Sequence, residues 1–182
     1  MKKKTKSLNW IGGPGIGKST QALDSASLLK KAKVKCELVT EYAKDLVWQG
    51  SYEVLANQIY VFAKQHQKMF RLRKKNDAII TDSPLITSLF YLDKHNEDFK
   101  DSYELFKGLV ISEFNQYDNY NFLLKRETVY QEEGRYQNEE EAIEIDRKIK
   151  EFLEENKIPY IEVGLEEAVR ISTSKILLDI YK

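Results

Sequence analysis

Eight residues, Gly12-Gly13-Pro14-Gly15-Ile16-Gly17-Lys18-Ser19, follow the apolar run Leu8-Asn9-Trp10-Ile11 and constrain this chain more than anything else in it. Their spacing, G-x-x-x-x-G-K-S, is that of a phosphate cradle. Glycines let the backbone turn its N–H groups inward around an anion, Lys18 can reach the outer phosphates, and the Ser19 hydroxyl can serve a magnesium ion. A helix predicted over Ser19 to Lys33 adds the positive end of its dipole to the same anion. The nucleotide-binding set read from this segment is Gly13, Gly15, Ile16, Gly17, Lys18, Ser19 and Thr20.

Strand-like runs at Leu8 to Ile11, Cys36 to Thr40, Ala78 to Thr81, Asn121 to Leu124 and Tyr160 to Val163 alternate with helical stretches. Such alternation gives a parallel sheet covered by helices on both faces, with ligands at the carboxyl ends of the strands. Ser51 to Lys75 reads as one long amphipathic helix, and Asp101 to Tyr117, Glu139 to Asn156 and Glu166 to Tyr181 as three more. A chain of 182 residues suits one α/β domain over residues 1–182, with a polar flap at about 126–138.

Lys+Arg and Asp+Glu number 29 each, so no overall field draws in a polyanion, which argues against nucleic acid and for a small-molecule partner. The basic start, Lys2, Lys3, Lys4 and Lys6, reads as a solvated tail without the apolar stretch of a secretory signal. No run has the length of a membrane span. One cysteine, Cys36, forms no internal disulfide, and a cytoplasmic location is expected.

The chemistry is expected at the strand ends. Asp82 follows the third strand and can reach magnesium, which favours hard oxygen ligands such as Asp82 and Ser19; Asp82-Ser83-Pro84 is equally a helix start. Glu41 follows the second strand, where a carboxylate faces the acceptor crevice and can orient a hydroxyl or take its proton, with Asp45 one turn on in reserve. Trp48 could stack on a base. Gln58, Phe62 and Gln65 fall on one helical stripe, where a ring flanked by amides suits a flat heterocycle. Lys125, Arg126, Tyr130 and Arg135 belong to the flap, and Arg126 and Arg135 are the cations expected to meet a transferring phosphoryl group. Lys18, Glu41, Asp82, Arg126 and Arg135 therefore form the expected catalytic set.

Gly12 to Thr20, Val39-Thr40-Glu41-Tyr42-Ala43 with Trp48, Asn57-Gln58-Ile59-Tyr60, Thr81-Asp82-Ser83-Pro84 and the Arg126 to Arg135 segment together resemble the small P-loop nucleoside and nucleotide kinases. Nearest are the NadR-type nicotinamide riboside kinase domains and the deoxynucleoside kinases. The resemblance implies a three-layer sandwich with strand order 2-3-1-4-5, a lid, ATP with magnesium, Glu41 as base and Gln58 as reader of the base. Deoxynucleoside kinases carry Glu-Arg-Ser after the third strand, whereas this chain has Asp82-Ser83-Pro84. The function so implied is transfer of the γ-phosphoryl of ATP to a nucleoside, nucleotide or related riboside. A 5′-hydroxyl polynucleotide kinase and a nucleotide-sensing regulatory ATPase are the alternatives. Homodimers are common in this architecture, although no residue here marks an interface.

Overall fold

Five short strands pair only in parallel: β1 (Lys6–Ile11), β2 (Cys36–Val39), β3 (Ala78–Thr81), β4 (Asp118–Leu124) and β5 (Ile161–Val163). Their order, β2-β3-β1-β4-β5, is the one the family resemblance implies. The structure, a computed structural model, describes residues 4–92, 99–127 and 139–182.

Eight helices cross over among the described residues: α1 (Lys18–Lys31), α2 (Tyr42–Trp48), α3 (Tyr52–Ala56), α4 (Gln58–Phe70), α5 (Thr87–Phe90), α6 (Lys100–Phe114), α7 (Glu139–Glu155) and α8 (Leu165–Ile180). Alternation along the strands sends Leu8, Trp10, Ile80 and Phe122 to one face, against Ala22, Leu29 and Ile176 of α1 and α8. Ile11, Ile79 and Leu123 face the other way, onto Phe62, Val110 and Ile149 of α4, α6 and α7. Both faces are covered, so the central strands β1 and β3 are buried along their whole length.

Two departures from the sequence expectation have local causes. The helix expected from Ser51 to Lys75 is broken at Asn57, whose side chain accepts from the Tyr60 amide at 3.1 Å and so starts α4 afresh. Asparagine competes with the helix ladder in this way. Lys6 is no solvated tail: it opens β1, is 1 % exposed, and donates to Asp118 at 3.1 Å and to Asp179. A lysine buried at a strand start holds its place only with such partners. Cys36 is buried and free, as expected.

The sheet order brings the loops after β1, β2 and β3 to one edge. Asn9 pairs with Thr81 and Thr81 with Val39, so Gly12, Asp82 and Glu41 leave the sheet side by side. No described helix is long and apolar enough to cross a membrane.

Candidate functional site

The loop from Gly12 to Gly17 turns directly from β1 into α1, and Gly17 makes the turn with φ 97°, a left-handed conformation that side chains disfavour. A Cβ at Gly13 would lie 2.6 Å from Asp146 Oδ1 and 2.9 Å from the Ala142 carbonyl oxygen, so that position is glycine for want of space. Residues Pro14 to Thr20 line a cavity of about 580 Å³. Ile16 lends only backbone to it, its side chain being buried in the core.

Lys18 Nζ donates to the Gly13 carbonyl at 2.7 Å. Ser19 Oγ donates to Asp82 Oδ2 at 2.6 Å, and Asp82 Oδ1 accepts the Glu41 amide at 3.0 Å. One buried carboxylate thus ties the start of α1 to the start of α2. Asp82 does not cap a helix of its own: α5 begins only at Thr87, beyond Pro84. The Ser19 hydroxyl and Asp82 carboxylate present adjacent hard oxygens, the donor set magnesium takes when phosphates supply the remainder.

Glu41 is the N-cap residue of α2, but its side chain makes no capping bond and instead lines the cavity. Burial pushes its carboxyl above the usual carboxylate range; Lys18 opposes that shift and Asp82 adds to it. Behind it, Gln65 is 3 % exposed, accepts from the Tyr42 amide and donates to the Ser83 carbonyl, each at 3.0 Å. It ties the loops after β2 and β3 together, with both ends of its amide engaged.

The far wall comes from α2 to α5: Val47, Trp48, Tyr52, Gln58, Val61 and Thr87. Trp48 is 66 % exposed at the rim, not in the core. Gln58 spends one N–H on the Leu55 carbonyl at 2.9 Å and still lines the cavity. Phe62 does not line it. Its ring packs edge-on to Phe106 at 5.4 Å and stacks on His66 at 5.7 Å, 5 % exposed. The helix stripe facing the cavity is Gln58-Val61-Gln65, and Phe62, one residue round, turns to the core. Accordingly, Phe62→Leu is expected to cost about 1–2 kcal/mol of stability, checked by chemical denaturation, while leaving nucleotide affinity within about twofold, checked by calorimetry.

Arg126, past β4, donates through Nε to Asp146 Oδ2 at 2.6 Å and through Nη2 to the Pro14 carbonyl at 2.9 Å. It therefore lies against the phosphate loop. Arg135, Tyr130 and most of the expected lid lie outside the described residues. Asp146 was missed in the sequence. It falls in the inward stripe Ala142, Ile149, Leu153 of α7, and a carboxylate interrupting an apolar stripe was the available signal.

A family model described as an AAA domain matches residues 8–168. No curated protein matches the chain. Among solved structures, a deoxyadenosine kinase from M. mycoides with bound dATP superposes with a TM-score of 0.60 at 19 % identity, covering 96 % of this chain and 99 % of that one. An APS kinase from Mycobacterium tuberculosis gives 0.49 at 11 % identity, with 99 % of each chain covered. At such identity the first likeness is one of fold, a P-loop kinase-like fold.

Proposed function

The chain belongs to the AAA domain family, and from that premise we propose that it is an ATP-dependent kinase whose acceptor is a small nucleoside or related riboside offering a hydroxyl. The observation that carries this is the placement of the Glu41 carboxylate in the same cavity as the phosphate loop, with the Ser19 and Asp82 oxygens beside it. The chamber walled by Val47, Trp48, Tyr52 and Gln58 gives an acceptor larger than water a place to lie beside that carboxylate.

Lys18 and the loop amides hold the triphosphate. Ser19 and Asp82 would hold magnesium, which when bound draws charge off the terminal phosphates. Glu41 takes the acceptor hydroxyl's proton as its oxygen bonds to the γ-phosphorus and the bond to the β–γ bridging oxygen breaks, releasing ADP. Arg126, resting on the loop, is the cation for the transferring group, with Arg135 as the second.

A hydroxyl acceptor is favoured over a monophosphate by the charges of the chamber. Among the described residues lining it, the cations are Lys18, which belongs to the donor loop, and Lys44. Two lysines set against the Glu41 carboxylate suit a neutral hydroxyl-bearing acceptor. The aromatic rim of Trp48 and Tyr52 and the Gln58 amide fit a flat base, and the fold shared with a deoxyadenosine kinase supports a nucleoside. ADP release measured against nucleosides, nucleoside monophosphates and nicotinamide riboside tests the proposal. Turnover that depends on a hydroxyl acceptor is expected; ATP hydrolysis indifferent to every acceptor would refute it in favour of a regulatory ATPase. Trp48→Ala is expected to raise the acceptor KM about 5–10-fold, the worth of one base stack, with the melting temperature unchanged because the ring is exposed.

A further inference from the structure

Asp146 has no part in the chemistry above, yet both of its carboxylate oxygens are committed at the phosphate loop. Oδ1 accepts the Gly13 amide and Oδ2 accepts Arg126 Nε, each at 2.6 Å. We propose that Asp146 is a positioning residue that fixes the Arg126 guanidinium at the terminal-phosphate end of the donor loop. This rests on the donor half of the proposed function, ATP in the loop, and not on who the acceptor is.

Two cations rest on consecutive carbonyls of the loop. Lys18 Nζ sits on Gly13 O at 2.7 Å and Arg126 Nη2 on Pro14 O at 2.9 Å. The lysine of such a loop is the residue that reaches the β- and γ-phosphates. Arg126 rests on the next carbonyl of the same loop, just outside the residues that line the cavity, so a guanidinium held there borders the cradle that would take the terminal phosphates. Arginine is long and has many rotamers, so something must hold it there. Asp146 does so from the buried face of α7, between Ala142 and Ile149. The pair is largely shielded, with side chains 14 % and 23 % exposed, where a charge-assisted bond is strongest. The same carboxylate fills the space a Cβ at Gly13 would need, so the loop, the arginine and α7 are built around one another.

Asparagine cannot substitute, because its single amide oxygen accepts from one of the two donors and its NH2 confronts the other. The test is calorimetric: affinities for ATP and for ADP, in magnesium buffer, of the wild type, Asp146→Asn, Arg126→Lys and the double variant. Each single variant is expected to lose about tenfold of its preference for ATP over ADP, the worth of a charge-assisted hydrogen bond. The double variant should lose no more than the weaker single one, since both changes disable the same contact. An unchanged ATP/ADP ratio in Asp146→Asn, or losses that multiply in the double variant, would overturn the proposal. Should Asp146→Asn not fold, Asp146→Ser is read the same way. Acceptor turnover in the same wild-type preparation separates the two ideas. Its absence defeats the kinase assignment while the ATP/ADP comparison still decides the role of Asp146, and a wild type that binds neither nucleotide defeats both.

Discussion

Lys18→Ala is expected to lower acceptor-dependent ADP release about 1000-fold at saturating acceptor. The Lys18 ammonium lies 2.7 Å from the Gly13 carbonyl oxygen in the mouth of the cavity, close to where outer phosphates arrive. Charge develops on those oxygens as the terminal phosphoryl leaves, and a fixed cation in a site that excludes water offsets it far better than solvent does. The side chain is not part of either core cluster, so the variant should melt within a few degrees of the wild type. A coupled ADP assay, with ATP raised until the rate saturates, separates weaker binding from slower chemistry. Retention of more than a tenth of the wild-type rate would remove Lys18 from the transfer step.

Glu41→Gln should show a different signature. Shape and hydrogen bonding survive but the proton acceptor is lost, so kcat is expected to fall about 100–10,000-fold, the range of general-base contributions. ATP affinity should stay within about twofold, because the donor loop and the Ser19–Asp82 bond are untouched. Burial favours the neutral carboxylic acid and raises the proton affinity of Glu41, which makes it a stronger base than an exposed carboxylate at the moment the hydroxyl gives up its proton. Single-turnover rates with preloaded ATP measure the chemical step alone. A change of less than threefold would reduce Glu41 to a residue that orients the acceptor.

The phosphate-loop turn and its place after β1 were legible because their requirements are local. A loop that must turn with positive φ and a lysine at fixed spacing leave an eight-residue signature, and Asp82 and Glu41 were found by their position after short apolar strands. What was not legible depended on which side of a helix meets which neighbour. Val61 and Phe62 fit the stripe with Gln58 and Gln65 about equally well by spacing, and only the packing of α4 on α6 sends the ring inward. Asn57 looked like an interior residue of one long helix, and its role as a cap requires the chain to bend there. Asp146 was hidden among the many acidic residues of α7, since its partners Gly13 and Arg126 are 133 and 20 residues away in the chain.

Gln65 gives the acceptor chamber a property of its own. By holding the Tyr42 amide and the Ser83 carbonyl with one buried amide, it makes two loops from different strands into a single rigid lip. The conformational entropy of those loops is surrendered when the protein folds and not when a ligand arrives. That side of the cavity is thereby set before a ligand arrives, and less ordering remains to be done on binding.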